Sequence, residues 1–125
     1  MAGITLDAGA LLALEGGDRR MVVLLARARE TGTRVTLPAT VLAQVLRRPE
    51  RQVALLRLSR QPYTDLPSLD RADAAAVGRL LSATGTSDIV DAHVVICARR
   101  SGQRVITSDP DDLRLLDPSL QLVPL

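Results

Sequence analysis

Three aspartates stand where a carboxylate is hard to ignore. Asp7 directly follows the short apolar run Ile4-Thr5-Leu6. Asp109 follows the run Arg104-Val105-Ile106-Thr107 by one residue. Asp91 interrupts the segment Ile89 to Ala98, which is otherwise apolar almost all round. A carboxylate in such a setting is costly unless a cation, hydrogen bonds or a proton compensates it. Carboxylates brought to one point also repel one another unless a metal neutralises them. Hard divalent cations such as Mg²⁺ or Mn²⁺ take carboxylate oxygens. The chemistry in view is therefore metal binding, and with it metal-assisted hydrolysis.

Each residue type also has an ordinary use. Asp7 and Asp109 stand at helix starts, where Asp is a common cap. Asp88 shares a helix face with Asp91 three residues on, so it serves either the cluster or the dipole of the first turn. Asp112 stands three residues after Asp109 and raises the same pair of readings. Thr107 and Ser108 offer hydroxyls beside Asp109, and Ser108 is equally a helix cap. The one histidine, His93, lies two residues from Asp91 and so on roughly the opposite face of its helix. That placement argues for packing or surface exposure, and against a histidine-based zinc site.

The elements that must position these groups alternate. Strands are expected at Ile4–Leu6, Arg34–Leu37, Tyr63–Leu66, Arg104–Thr107 and Leu120–Val123. Helices are expected at Ala8–Glu15, Arg19–Thr31, Pro38–Arg47, about Glu50–Arg60, Arg71–Thr84, Asp88–Arg100 and Pro110–Leu116. Asp70, Ser87 and Ser108 read as caps, and Gly32 and Gly102 as stops. The alternation implies an α/β fold with a mainly parallel sheet and helices on both faces. In such sheets ligands bind beyond the carboxyl ends of the strands, where Asp7 and Asp109 fall.

Composition narrows the function classes. The 125 residues suit one domain, 1–125, with a substantial core. No apolar run reaches membrane-span length and the N-terminus lacks a signal-peptide pattern, so a cytoplasmic protein is expected. Cys97 is the only cysteine, which excludes an internal disulfide and reads as a small buried side chain. All sixteen basic residues are Arg, yet net charge is only +2. Tyr63 is the sole aromatic, which disfavours single-strand binding by base stacking. There is no glycine-rich phosphate loop or dinucleotide fingerprint. The absence of Lys speaks against a phosphate-accepting receiver domain.

Four motifs in order carry a resemblance. They are Ile4-Thr5-Leu6-Asp7, Pro38-Ala39-Thr40-Val41-Leu42-Ala43-Gln44-Val45, Asp91-Ala92-His93-Val94-Val95 and Val105-Ile106-Thr107-Ser108-Asp109. Together they resemble the PIN domain, and in particular the small toxins of bacterial VapBC toxin–antitoxin pairs. The resemblance spans nearly the whole chain. It implies a three-layer α/β/α sandwich and a metal-dependent endoribonuclease with Mg²⁺ or Mn²⁺ on Asp7, Asp91 and Asp109; Asp88 is a further candidate metal ligand by its place on the Asp91 face. It also implies a cognate antitoxin protein and a homodimer, for which Val22–Leu25 and Leu55–Leu58 offer apolar surface. Where the family usually has an acidic residue on the helix after the second strand, this chain has Gln44. Gln44 can ligate through its carbonyl or hold a metal-bound water, but supplies no charge and no general base. Asp88 or Asp112 would have to compensate. Arg47, Arg48 and Arg51 are either RNA-phosphate contacts or a solvated helix end. The competing reading is a catalytically weakened PIN-like binding module that acts through protein or RNA binding.

Overall fold

The computed structural model describes residues 3–125. Five strands, β1 (Ile4–Leu6), β2 (Val35–Thr36), β3 (Thr64–Asp65), β4 (Arg104–Thr107) and β5 (Leu122–Pro124), form one sheet in the order β3-β2-β1-β4-β5. Every pairing is parallel. Between them run helices α1 (Ala8–Glu15), α2 (Arg19–Thr31), α3 (Ala39–Val45), α4 (Val53–Ser59), α5 (Arg71–Thr84), α6 (Ile89–Ser101) and α7 (Pro110–Leu116). This is the mainly parallel α/β/α arrangement expected from the alternation of elements.

Burial explains why β1 and β4 lie at the centre. Ile4, Thr5 and Leu6 are all buried, as are Val105, Ile106 and Thr107. Successive side chains of a strand point to opposite faces, so both faces of these strands are covered. The chain builds outward from β1 through β2 to β3. It then crosses to the other side of β1 to form β4 and β5. The order thus reverses between β1 and β4, and a crevice opens beyond their carboxyl ends.

Helix α6 lies against both central strands. It packs against β1, β4, α3, α5 and α7. It buries Ala92, His93, Val94, Val95, Cys97 and Ala98, which explains its nearly continuous apolar sequence. Gly102 stops it with φ of 63°, in the left-handed region that favours glycine, and turns the chain into β4.

Three local expectations are corrected. Ser87 does not cap α6: Asp88 does, its Oδ1 accepting from the Asp91 N–H at 2.9 Å. Ser108 does not cap α7 either, because Asp109 holds the cap position and makes no side-chain capping bond. The segment from Glu50 is a 3-10 turn, Pro49–Arg51, before α4 begins at Val53. Of the apolar surface expected for a second copy, Leu55 and Leu58 are buried in the core, while Val22 and Val23 are exposed.

Gly9, in the first turn of α1, is where α1 meets the loop after β4. A Cβ there would lie 1.9 Å from Ser108 Oγ and 3.0 Å from Ser108 Cβ. Only the absence of a side chain lets the two segments that carry Asp7 and Asp109 approach so closely. Gly9→Ala is expected to lower stability by about 1–3 kcal/mol, the usual range for overpacking. Gly78, within α5, has nothing within 4 Å of an added Cβ, so Gly78→Ala should raise stability by about 0.5–1 kcal/mol. Urea unfolding of both variants checks the pair; equal effects would refute the close-approach account.

Candidate active site

Asp7 is fixed by its own helix start. Its Oδ1 accepts from the Ala10 N–H at 2.8 Å, and its N–H donates to the Ile106 carbonyl of β4 at 3.3 Å. The residue is 4 % exposed. Burial raises its pKa; hydrogen bonding from Thr107 and Ala10 opposes that, and the Asp109 charge adds to it. Capping and site geometry are thus one arrangement, because the carboxylate that caps α1 also takes the Thr107 hydrogen bond.

Asp109 is oriented from β4. Its N–H donates to Thr107 Oγ1 at 2.8 Å, which places the buried Thr107 hydroxyl between Asp109 and Asp7. Its carboxylate, unused for capping, faces Asp112. The pKa of the exposed Asp112 is raised first by hydrogen bonding with Asp109, then by the Asp109 charge. Ser108 is exposed and meets Gly9.

Asp91 completes the cluster from α6. Its pKa is pushed up to about 7, first by burial and then by the charges of Asp88, Asp7, Asp112 and Asp109. Five carboxylates from three chain segments therefore act on one another. Among the described residues none of the five makes an ion pair with Arg or His. Their ligand oxygens do not all lie within 4.8 Å of one another, but carboxylates without a counter-charge are the donor type that Mg²⁺ or Mn²⁺ prefers.

Gln44 is exposed on α3 and shares an open groove of about 550 Å³ with Thr40, Ala43, Arg47, Ser87, Asp88, Ile89 and Val90. Asp88 thus belongs both to this groove and to the acidic cluster. Arg47 lines the groove, whereas Arg48 and Arg51 are exposed outside it. The turn that carries them is held by a residue the sequence reading passed over. Buried Gln52 accepts through Oε1 from the N–H groups of Arg47 and Arg48, both at 2.8 Å, and donates from Nε2 to the Val45 carbonyl and to Glu15. Three of its partners lie within seven residues of it, but only the folded turn shows that they converge on Gln52, and Glu15 reaches it from α1.

His93 is buried, not exposed, and both its ring nitrogens are engaged. Nδ1 lies 2.7 Å from Thr40 Oγ1 and Nε2 lies 2.9 Å from Asp73 Oδ2. Asp73, His93 and Cys97 are the one group of potential ligands among the described residues whose ligand atoms all lie within 4.8 Å of one another. Arg100, however, already occupies Asp73 at 2.7 Å, so the charge a metal would answer is answered. Burial pushes the Cys97 thiol up to about 11, unfavourable for a thiolate ligand. We therefore assign this group to internal structure.

The PIN domain model matches residues 4–117, nearly the whole chain. The chain belongs to the PIN-domain family. PIN domains are generally nucleases that typically use divalent metals. The fold of this PIN domain is similar to that in the crystal structure of FitAcB from Neisseria gonorrhoeae, with a TM-score of 0.63, 18 % identity and 95 % of each chain covered. No curated protein sequence matches the chain.

The charge cluster has a consequence for stability. The Asp91 carboxyl is held protonated in the folded chain up to about pH 7 but ionises near its ordinary value once unfolded. The folded state therefore binds more protons between these values, and stability falls as pH rises toward 7. Asp65, Asp73 and Asp117 have lowered pKa values and act with the opposite sign, but at and below the ordinary carboxylate range. In chelator, the thermal midpoint is expected to fall between pH 5 and pH 7.5 (roughly the interval set by these two values), and Asp91→Asn to flatten that slope. An identical slope in both proteins counts against the assignment.

Proposed function

We propose that this PIN domain is a Mg²⁺- or Mn²⁺-dependent endoribonuclease of the VapC toxin type, hydrolysing RNA phosphodiester bonds. The observation that carries the reading is the set of five carboxylates without ion pairs at the β1–β4 switch point. Asp7, Asp91 and Asp109 would hold the metal, with Asp88 beside them. Bound there, the metal would act as a Lewis acid toward the phosphate and lower the pKa of a water. Asp112 lies against Asp109 and would support the cluster from α7. Thr107 orients Asp109 and hydrogen-bonds toward Asp7. Ser108 keeps the β4–α7 loop against Gly9. Arg47 would contact phosphate from the groove, and Arg48 and Arg51 would extend that basic edge along the strand.

Gln44 favours a second reading. An amide at this position adds no charge, so metal affinity is lower than an acid would give, and a weakened domain could act by binding alone. Exposed Leu12, Val22, Val23 and Val53 offer apolar surface for a protein partner. On the family resemblance that partner is an antitoxin or a second copy of the chain. Among the described residues no single helix is long and apolar enough to cross a membrane. A cytoplasmic site of action goes with the RNA reading.

Incubation with a structured RNA and Mg²⁺ or Mn²⁺ tests the assignment. Asp7→Asn and Asp91→Asn are each expected to lower cleavage at least about a hundredfold, a loss of the size seen for groups that stabilise transition-state charge. Gln44→Glu should tighten Mn²⁺ binding in a calorimetric titration. Cleavage unchanged in both aspartate variants would sink the nuclease reading. Mn²⁺ binding without cleavage by the unaltered chain would favour the binding module.

A further inference from the structure

Two hollows away from the acidic cluster form one trough along α2. The first, of about 480 Å³, lies between Arg19, Arg20 and Val23 of α2 and the β5 stretch from Val123 to Leu125. The second, of about 200 Å³, lies between Arg27 and Thr31 of α2 and the strand starts at Ile4 and Arg104. Leu24 lines both, so they are continuous. Arg20, Leu24, Arg27 and Thr31 fall on one stripe of the helix. The floor is apolar, and Val23 is 57 % exposed there.

The trough carries charge of one sign. Arg19, Arg20, Arg27 and Arg104 line it, and no Asp or Glu does. Among the described residues Arg19, Arg27 and Arg104 make no ion pair, and Arg20 reaches only Asp18, at 3.9 Å. One side of the trough is an open sheet edge, because β5 pairs only with β4. The Gln121 carbonyl accepts from the Val105 N–H and the Leu125 N–H donates to the Thr107 carbonyl. Residues 121, 123 and 125 therefore turn their backbone groups to β4, and Leu122 and Pro124 turn theirs outward. The Leu122 N–H and the Leu122 and Pro124 carbonyls are left for another strand.

An apolar floor, a cationic rim and a free strand edge together fit an extended peptide with acidic side chains. Val123 lies in the trough, so a strand added beside β5 turns every second side chain into it. Arg20 and Arg27 are roughly 10 Å apart along the axis of α2, and four residues of a strand span about 13 Å. The matching pattern is acidic at i, apolar at i+2 and acidic at i+4. A nucleic-acid backbone would meet the arginines but leave the apolar floor uncovered, and no aromatic side chain lines the trough to stack a base.

We propose that this trough is a docking site for an extended acidic segment of a partner protein, which adds a strand to the outer edge of β5. The proposal rests on the reading that the domain takes a protein partner, and it gives that partner a place and a chemistry. It does not depend on RNA cleavage.

The test is fluorescence-anisotropy binding of labelled peptides by the full chain in chelator. The probe is a nine-residue Thr peptide with Glu at its third and seventh positions and Val at its fifth. It is expected to bind at least about tenfold more tightly than the same peptide with Lys in place of Glu, because like charges then face the arginines. Methylating the probe's backbone nitrogens removes its donors to β5 and should abolish binding. Val23→Asp should weaken binding at least about tenfold by placing an unpaired charge on the floor. Val22→Asp should leave it unchanged, since Val22 is similarly exposed but lies on the opposite face of α2 from Leu24. Arg27→Glu combined with Arg104→Glu should remove the preference for Glu over Lys. No binding of the Glu peptide, or equal binding of the Lys peptide, overturns the site with the unaltered chain alone. Equal losses in Val22→Asp and Val23→Asp overturn it in favour of the outer face of α2. Displacement of the probe by a short ribo-oligonucleotide overturns it in favour of nucleic acid, and a dimer in sedimentation that Val23→Asp splits overturns it in favour of a second copy. The nuclease reading stands or falls separately, on the Asp7 and Asp91 variants.

Discussion

Leu6 and Ile106 lie side by side in parallel strands, and the Asp7 N–H donates to the Ile106 carbonyl. Residues one hundred positions apart thereby lie at the same level near the ends of their strands. The meeting of Asp7 with the β4–α7 loop follows from that pairing. It sets Asp7 beside the loop that holds Asp109, and Gly9 lets the loop close over the start of α1. Because β2 lies on one side of β1 and β4 on the other, no strand crossing covers the crevice between them.

Like-charge repulsion is the cost of this arrangement. Asp91, brought up from α6, is held protonated to about pH 7 first by its burial and then by the charges of four other aspartates. Elsewhere in the molecule carboxylates are neutralised by Arg, as in Asp73–Arg100 and Asp117–Arg99. The contrast separates two uses of acid in one small fold. Asp73 and Asp117, with Arg partners, tie helices to α6, whereas the five clustered aspartates have no such partner.

The buried polar groups of α3, α5 and α6 belong to the first use but border the second. His93 joins Thr40 of α3 to Asp73 of α5, directly behind the groove that leads to Asp88. Gln52 does similar work for the turn after α3, satisfying backbone groups that would otherwise lack partners. A rigid α3 matters because it carries both Gln44 and Arg47 toward the groove.

The alternation of elements, the place of Asp7 and Asp109 at strand ends and the burial of α6 were legible in the sequence, because each depends on local periodicity and turn chemistry. The four-motif resemblance was legible for the same reason, and Gln44 stood out against it. Exact caps were less so. Asp88 and Ser87 are both good capping residues one position apart, and only the packing of α6 on the sheet decided which of them takes the Asp91 N–H. The partners of His93 could not be read at all. Thr40 lies 53 residues before it and Asp73 lies 20 before it, on other helices. Spacing along one helix reports which residues share a face but not what that face meets. The same limit applies to the acidic centre: its members were nameable one by one, but their mutual repulsion exists only once parallel pairing and helix packing have brought them together.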